Sequence, residues 1–530
     1  MDYNKAMRFL RTVSNLRPVQ IRYRIYYFLR EKFFKRSFDK PIKGEVYFIK
    51  WESFIFSKQS WEHPGLFRLL NRQKDFGTKI EWNFSEYGSL WSYHLNSFEF
   101  LHQKELLASE GIHLIKSYLD AYRRSSKGNE PYPLSLRILN WIKFLSKHRL
   151  SDAHVEQSLY NQAHLLSNSF EYHLLGNHLL ENAFSLLFAA FYFRDSNFYY
   201  KSEKLLKREL EEQILFDGAH FELSPMYHLI ILHRLLDAVQ LLRNNIWNEV
   251  PSKHLSEFLA VKISRMLSWI DQISFRNGDL PVVNDTTLAF VDQRVRLVEY
   301  AEALGFRSAK LALSASGFRR MATDNFELFV DIGPMGPRYL PGHSHADIFS
   351  FIFYFGEQPI FIDPGVSEYE NTSLRATQRA TFSHNTVTVG SKDQAELWSS
   401  FRVGRQPKII SLEEKKNWVK ATHDGYKNLR AYHTRIFDLN DQMLKITDII
   451  SGSSSYKKKA YFHLHPDIET IKIERSAFVL GVNGLRVEFY SPNLKIELET
   501  YIFAEDFYKT KPANKVIVTF EGSLVTKIKA

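Results

Sequence analysis

The spacing of hydrophobic residues divides the chain into two parts. Between about residues 93 and 305, apolar side chains recur every three to four positions, which predicts helices that bury one face. The clearest of these segments are 134–150, 155–193, 199–215, 227–244 and 255–275. After about residue 315 apolar and polar residues alternate, which predicts β-strands. The first such runs are 326–332, 349–355 and 358–362. Helices followed by strands predict two separate domains rather than one alternating α/β sheet.

Composition narrows the class of protein. The chain has 530 residues, of which 44% are hydrophobic and 24% charged, so it can bury a large core and is not a disordered protein. It contains no cysteine, which excludes disulfides, a thiol nucleophile and a Cys-ligated metal site. Any metal ion must therefore be bound by His, Asp or Glu. The longest apolar run, 184–193, is too short to cross a bilayer.

Most of the positive charge lies at the N terminus. Residues 1–38 contain ten Lys and Arg against two acidic residues, so they carry most of the net charge of +11. The remainder is nearly neutral, which argues against nucleic-acid binding. Ile21, Ile25, Phe28 and Leu29 are spaced to share one helix face. The segment is therefore either a helix packed on the protein with its basic face in solvent, which we favour, or an amphipathic helix on an anionic membrane.

The expected cellular location follows from the same segment. A secretory signal peptide needs an apolar stretch after its basic start, and none follows here. We therefore expect a cytoplasmic protein, with peripheral membrane contact through the basic N terminus as an alternative.

The densest group of reactive side chains precedes the run 349–355. His343 and His345 flank Ser344, and if a strand begins there, both imidazoles point to one face. Asp363 and His384 follow at the ends of other predicted strands. Two imidazoles and a carboxylate suit a zinc ion with a fourth position for water. The H-x-H pattern by itself is also common in proteins that bind no metal.

The helical part holds two further candidate groups. Asn177 and His178 stand at the head of an apolar helix, where such residues usually form a cap. The second group lies in the turn-rich segment 217–228. Pro225 predicts a helix start there and places Tyr227 in the first turn. A tyrosine at that position packs more often than it reacts.

Taken in order, these groups resemble a known family. The order is Asn-His at 177–178, E-x-S-P-x-Y-H at 222–228, H-x-H-A-D at 343–347, F-I-D-P-G at 361–365 and S-H-N-T-V at 383–387. It resembles that of the heparinase II/III-like polysaccharide lyases, which include oligoalginate lyases, and the resemblance spans roughly residues 80–465. It implies an α+β multidomain fold, with an N-terminal (α/α) toroid, a C-terminal antiparallel β-sandwich-like domain and a cleft between them. The predicted boundaries are 1–40 for the basic segment, 41–313 for the toroid and 314–530 for the β-domain.

The resemblance also implies roles for individual residues. The four catalytic positions are Asn177, His178, Tyr227 and His343, of which the first two bind a uronic carboxylate and the last two transfer protons. The three ligands of one zinc ion, which we expect to be structural, are His345, Asp363 and His384. The three residues on a helix that borders the sugar-binding groove are Arg137, Asn140 and Trp141.

The chemistry implied is β-elimination of an acidic polysaccharide. The C5 proton of a uronate lies beside a carboxylate that is already negative, so hydrogen-bond donors must first offset that charge. A base then takes the proton, and an acid protonates the leaving oxygen. We expect positive groups and the helix end to lower the pKa of Tyr227. A zinc hydrolase and a non-catalytic polysaccharide-binding or assembly protein of the same fold remain alternatives, and the sequence leaves the polymer and the oligomeric state open.

Overall fold

The computed structural model describes the chain except residues 1–2, 34–39, 43, 53, 123–127, 292, 453–454, 469, 482–483 and 530. Its N-terminal half is mainly helical. The helices there are α1 (Tyr3–Ser14), α2 (Pro18–Phe33), α3 (Ser89–Ser97), α4 (Ala108–Tyr122), α5 (Pro131–His148), α6 (Ala153–Ser167), α7 (Gly176–Phe193), α8 (Ser196–Gln213), α9 (Pro225–Asn244), α10 (Glu249–Ile273), α11 (Leu288–Val291) and α12 (Gln293–Ala303). The five predicted helical segments are present, and the segment 155–193 is divided into α6 and α7.

Local signals explain where these helices begin. The Asp152 side chain accepts hydrogen bonds from two backbone N–H groups in the first turn of α6, and Ser224 caps α9 in the same way, directly before Pro225. In α7 every residue except His178 is buried. A helix that is apolar on all sides lies inside a domain, so the run 184–193 belongs to the core, as predicted.

A small sheet precedes the helical domain and was not predicted. It consists of β1 (Trp61–His63), β2 (Leu66–Leu69) and β3 (Arg72–Asp75), paired in that order. The turn between β2 and β3 has positive φ at both Leu70 and Asn71, which is the conformation of a tight hairpin. Strands of three or four residues are too short to produce a recognisable alternation.

The C-terminal half is built from antiparallel strands. Its elements are β4 (Phe318–Ala322), β5 (Phe326–Asp331), β6 (Phe351–Phe355), β7 (Gln358–Phe361), α13 (Ser373–Arg379), β8 (Val387–Val389), β9 (Leu397–Trp398), β10 (Arg402–Val403), β11 (Ile409–Lys415), β12 (Trp418–His423), β13 (Ala431–Leu439), β14 (Met443–Gly452), β15 (Lys458–His463), β16 (Thr470–Ile473), β17 (Ala477–Leu480), β18 (Arg486–Tyr490), β19 (Lys495–Asp506), β20 (Lys509–Phe520) and β21 (Ser523–Lys529). The change from helices to strands after residue 315 is therefore confirmed.

Three sheets form most of this β-domain. The largest has eight strands in the order β11-β12-β13-β14-β21-β18-β17-β16, and two four-stranded sheets have the orders β19-β20-β15-β8 and β4-β5-β6-β7. Phe351, Phe361, Phe437 and Phe462, from all three sheets, pack in one buried cluster. The strand ends carrying Asp363 and His384 thus meet on a common core.

The two N-terminal helices lie across both domains. Helix α1 contacts the β-domain, where Arg11 forms an ion pair with Glu396 and Trp398 donates a 2.9 Å hydrogen bond to Thr12. Helix α2 contacts the helical domain, where the Tyr27 hydroxyl donates to the Phe170 carbonyl. The basic segment is therefore a bridge over the domain boundary.

The sequence favoured a helix that packs on the protein through its apolar face. For α2 the packing is present, but the face that makes it is a different one. The helix does pack on the protein, but through polar and aromatic residues. The apolar stripe of Ile21, Ile25, Phe28 and Leu29 is exposed. None of the helices in the described part of the chain is long and apolar enough to cross a membrane.

Candidate active site

The candidate site forms where loops of the two domains meet. The helical domain contributes the start of α7 and the loop before α9, and the β-domain contributes the loop around His343. A strand was predicted to begin at His343, but this segment is a loop, because β6 begins only at Phe351. The connection at Asn284 and Asp285 holds the parts together: the Asn284 amide donates to the Leu223 carbonyl and its oxygen accepts from the His345 backbone.

His343 and His345 converge on a shared carboxylate rather than on one face of a strand. His343 Nδ1 lies 2.8 Å from one oxygen of Asp285, and His345 Nε2 lies 3.0 Å from the other. The Arg375 guanidinium donates to both oxygens, one of these bonds being 2.8 Å. Burial opposes ionisation of Asp285, but Arg375 and the two imidazoles hold its pKa well below its usual range. Asp285 is therefore a carboxylate that only accepts hydrogen bonds.

This arrangement fixes the tautomer of His343. An ionised Asp285 requires the proton on Nδ1, which leaves Nε2 of a neutral imidazole as an acceptor. Nε2 lies 3.6 Å from a carboxylate oxygen of Glu222. The His343 ring thus lies between the carboxylates of Asp285 and Glu222. Such a group suits a general base.

The Tyr227 ring packs against that of His343, the residue with which the family resemblance pairs it for proton transfer. The ring centroids are 3.9 Å apart, and the Tyr227 hydroxyl lies 3.4 Å from that of Tyr369. The expected lowering of the Tyr227 pKa is wrong. Burial, followed by the neighbouring Tyr369, raises the pKa of Tyr227 well above its usual value, because desolvation of a phenolate outweighs the helix end. The Tyr227 hydroxyl is therefore held in its neutral, protonated form.

Asn177 is held by Glu222 at the start of α7. Its backbone N–H and its side-chain amide donate to the two oxygens of Glu222, at 2.9 and 2.8 Å. A Cβ on Gly176 would collide with Glu222 and Leu340, so only glycine fits next to this carboxylate. Asn177 is therefore fixed by a specific contact and is not a helix cap.

His178 is the open counterpart of His343. Nδ1 lies 3.2 Å from Glu171, the ring stacks on Tyr132 at 4.4 Å, and the side chain is 30% exposed. Burial opposes protonation, but Glu171 prevails and raises the pKa of His178 above its ordinary value. Glu171 therefore stabilises the cationic form of a side chain that is partly exposed to solvent.

The three predicted zinc ligands lie close together but are not assembled around one point. The His345 and His384 rings are 5.3 Å apart, and each has one buried nitrogen without a hydrogen-bond partner in the structure. Asp363 is 2.7 Å from Nδ1 of His384. Among the described residues, no three His, Asp or Glu side chains form a ready metal site. The two unpartnered nitrogens and the adjacent carboxylate nevertheless have the donor chemistry that zinc prefers.

The predicted groove residues on α5 are in the packed interior instead. Arg137 and Trp141 are completely buried, and Asn140 nearly so. Arg137 donates to the carbonyl of Gly128 and Asn140 to that of Ser97, which satisfies these groups within the domain. A side chain buried in this way does not reach a polysaccharide, so the placement at a groove is corrected.

Three residues of the site were missed altogether. Asp285, Arg375 and Tyr369 surround His343, yet none lies near it in sequence. Glu222 belongs to the motif at 222–228 and Glu171 to the segment 155–193, but no role was predicted for either residue. Only the clustering of polar residues in V-V-N-D-T-T, before α11, could have drawn attention to Asp285.

With this geometry established, comparisons with known proteins become informative. The model described as Heparinase II/III N-terminus matches residues 134–310, and the model described as Heparinase II/III-like, C-terminal matches residues 307–530. The chain belongs to the heparinase II/III-like family. The resemblance drawn from the motif order is thereby confirmed.

Curated relatives and a solved structure agree with this assignment. A heparin-sulfate lyase of Bacteroides stercoris is 24% identical over 325 residues, covering 56% of this chain and 46% of the relative. A heparin-sulfate lyase of Pedobacter heparinus is 29% identical over 350 residues, covering 58% and 49%. The chain thus spans about half the length of these curated relatives. The crystal structure of heparinase III has a TM-score of 0.69 at 16% identity and covers 85% of this chain and 79% of its own, which confirms the predicted fold.

Proposed function

We propose that this heparinase II/III-like protein is a polysaccharide lyase that cleaves an acidic, uronic-acid-containing polymer by β-elimination. The observation that carries the proposal is the His343–Asp285–Arg375 array stacked against Tyr227. It provides a base with a fixed tautomer and an adjacent neutral acid, which are the two proton-transfer groups that elimination needs.

Binding of the substrate carboxylate falls to the helical side of the cleft. His178 is cationic when protonated and is partly exposed, so it pairs with the uronate. Asn177 keeps one amide N–H beyond the bond that it donates to Glu222, and this N–H binds the same carboxylate. Offsetting the charge makes the C5 proton removable, because negative charge then accumulates on a group already held by donors.

His343 then takes the C5 proton at Nε2. The electrons of the C5–H bond form the C4–C5 double bond, and the bond from C4 to the glycosidic oxygen breaks. Asp285 and Glu222 already face the ring that becomes an imidazolium, and Arg375 holds Asp285 in place, so no group has to move. Because the charges are preorganised, little reorganisation is needed during the reaction.

Tyr227 protonates the departing oxygen. A hydroxyl whose pKa is raised is a poor base but remains protonated, which is the state an acid requires. The adjacent Tyr369 hydroxyl, 3.4 Å away, then donates its proton to the Tyr227 phenolate. Tyr369 in turn takes up a proton from solvent. The proton on His343 also passes to solvent. The products are a new chain end and a 4,5-unsaturated uronate.

A zinc ion bound by His345, Asp363 and His384 is part of the proposal. When bound, the ion would fix the loop of His343 to the strand ends that carry the other two ligands, a structural role. Support comes from the two unpartnered imidazole nitrogens. Asp363 contacts Nδ1 of His384 through one oxygen and accepts from the Gly365 backbone through the other, and a carboxylate has lone pairs left for a metal. Metal analysis of protein purified without chelator, with His384→Ala as the matched variant, tests this part separately, and an absence of zinc in both would contradict it.

The decisive experiment is a screen of uronate polymers. Heparan-like, alginate-like and bacterial exopolysaccharide substrates are incubated with the protein, and ultraviolet absorbance reports the unsaturated product. The expected result is absorbance with at least one polymer, lost in His343→Ala and kept in His465→Ala. His465 is a matched control because it is the second histidine of another H-x-H segment, His463-Leu464-His465, and its ion-pair partner is Asp467. Chain cleavage without new absorbance would indicate hydrolysis and overturn the proposal.

A further inference from the structure

Helix α2 presents a row of large apolar side chains to solvent. The exposed fractions are 56% for Ile25, 65% for Phe28, 45% for Leu29 and 65% for Phe33, and Ile21 is also exposed. Single exposed apolar residues are ordinary, but a contiguous row on one helix face is typical of an interaction surface. We call these five residues the α2 stripe.

The orientation of the α2 stripe is fixed by polar contacts on the opposite face. Gln20 is buried and donates to the Leu174 carbonyl. Further along the helix, Arg24 donates to the carbonyl of His173 and Arg30 to that of Asn168. These bonds hold the inner face against the segment before α7. The helix therefore cannot roll its apolar side inward without losing them.

The charges around the α2 stripe are positive and largely uncompensated. Arg22 and Lys32 share the outward side of the helix, and within the described residues neither they nor Arg24 form an ion pair with a carboxylate. Arg402 of the β-domain extends the positive surface, since burial and this neighbouring charge together lower the pKa of Arg24. By contrast, Arg11 is paired with Glu396.

We propose that α2 binds the surface of an anionic lipid bilayer, with the α2 stripe in the interfacial region and the basic residues at the headgroups. An apolar face flanked by Arg and Lys is the pattern of helices that lie in a membrane interface. Ile21, Ile25 and Leu29, three of the five stripe residues, offer no flat ring on which a sugar could stack, so a lipid surface accounts for the whole stripe and a polysaccharide only for Phe28 and Phe33. The proposal does not depend on lyase activity.

The location of α2 gives this contact a consequence for the cleft. The helix packs on the segment that leads to Glu171 and His178, and through Arg17 and Gln20 it also contacts the loop before His343. Binding at the α2 stripe would therefore place one end of the cleft beside the membrane and leave the catalytic contacts intact.

The test is sedimentation of the full chain with vesicles of phosphatidylcholine alone or of phosphatidylcholine with phosphatidylserine. We expect binding to the anionic vesicles, weakened by salt and at least about tenfold weaker with neutral vesicles. Ile25→Glu/Phe28→Glu should abolish binding, and Arg22→Ala/Lys32→Ala should weaken it. Ile246→Glu, which changes an apolar residue that is 84% exposed elsewhere on the helical domain, should bind as the unmodified protein does.

Four results would overturn the proposal. These are no sedimentation with either vesicle, equal sedimentation with both, a dimer in size-exclusion chromatography that Ile25→Glu/Phe28→Glu abolishes, and polysaccharide binding lost in these variants when vesicle binding is absent. Circular dichroism of each variant distinguishes loss of binding from loss of folding.

Discussion

The site contains two histidines that differ in their exposure to solvent and in the number of groups that hold them. His343, from the β-domain, is 13% exposed and stands in an array where each oxygen of Asp285 has at least two donors. His178, from the helical domain, is 30% exposed and has Glu171 as its one charged contact within hydrogen-bonding distance among the described residues. One imidazole is fixed from several sides, and the other is partly open to solvent.

This difference shows how one residue type can serve two roles. A base must hold one tautomer and one orientation throughout the reaction. A carboxylate whose two oxygens both accept several hydrogen bonds, as those of Asp285 do, fixes both properties of the imidazole. A group that binds a carboxylate needs a positive charge and room for the ligand, and an acidic neighbour with partial exposure provides both. The predictions below test this division, beginning with the fixed side.

Removal of the base should have the largest effect. His343→Ala is expected to lower kcat by about 10³–10⁴-fold with little change in KM, because the proton acceptor is lost while the binding groups remain. Asp285→Asn should lower kcat by a comparable factor. Steady-state kinetics on the polymer identified in the screen provides the measurement.

The two variants should differ in stability. Asp285→Asn leaves the buried Arg375 without its counter-charge, which costs about 3–5 kcal/mol, whereas His343 is at the surface of the array. Denaturant unfolding should therefore separate them. A His343→Ala variant with more than a tenth of the original kcat would show that another group is the base.

The adjacent tyrosines provide the next comparison. Tyr227→Phe should lower kcat by about 10²–10³-fold and preserve KM, since the ring still packs on His343 and only the acidic hydroxyl is lost. Tyr369→Phe is the matched variant, because it removes the hydroxyl that lies 3.4 Å from that of Tyr227. It should reduce kcat only about tenfold if Tyr369 merely returns the proton. Equal losses would make the pair one functional unit, and a larger loss in Tyr369→Phe would exchange their roles.

The comparison also explains what the sequence could and could not predict. The helices and strands follow from local periodicity, and His343, Tyr227 and Asn177 stand in motifs whose order is recognisable. Asp285 and Arg375 are brought to His343 only by tertiary folding, so no local pattern marks them. The predicted direction of the Tyr227 pKa shift was wrong for a similar reason, because the shift depends on burial by residues distant in sequence.

The position of polar residues on α5 illustrates the same limit. Arg137 was expected at the groove because the family resemblance places its helix along the border of the sugar-binding groove. In the structure its guanidinium donates to the Gln162 side chain and to the Asn96 and Gly128 carbonyls. Those acceptors lie on other elements, and their positions are known only once the helices are packed.

The open side of the site should respond to pH. Since Glu171 raises the pKa of His178 above its ordinary value, the cation should be present below this pKa and lost as the pH rises through it. We expect kcat/KM to fall on that alkaline side, mainly through KM. Glu171→Gln should move the fall to lower pH, and His178→Gln should remove it while lowering kcat/KM at acidic pH by about tenfold. An unchanged profile in His178→Gln would remove His178 from substrate binding.

The smallest effect should come from the contact that joins the two sides outside the site. Gln20 donates to the carbonyls of Leu174 and Tyr339, each at 3.3 Å. Leu174 lies just before Asn177 in the helical domain, and Tyr339 lies just before His343 in the β-domain. Gln20→Ala removes both bonds and should destabilise the protein by about 1–3 kcal/mol, since two hydrogen bonds to partly buried carbonyls are lost.

If the relative position of the two histidines depends on this bridge, Gln20→Ala should also lower kcat/KM by about two- to fivefold, because a small displacement of reacting groups slows the reaction. Gln157→Ala is the control, since it removes a partly exposed glutamine that likewise donates to a backbone carbonyl, that of Lys40. Thermal unfolding and kinetics would be measured together. A loss of stability without any change in kcat/KM would mean that the bridge joins the domains but does not align His178 with His343, and that other contacts between the two sides, such as those of Asn284 and Asp285, position them.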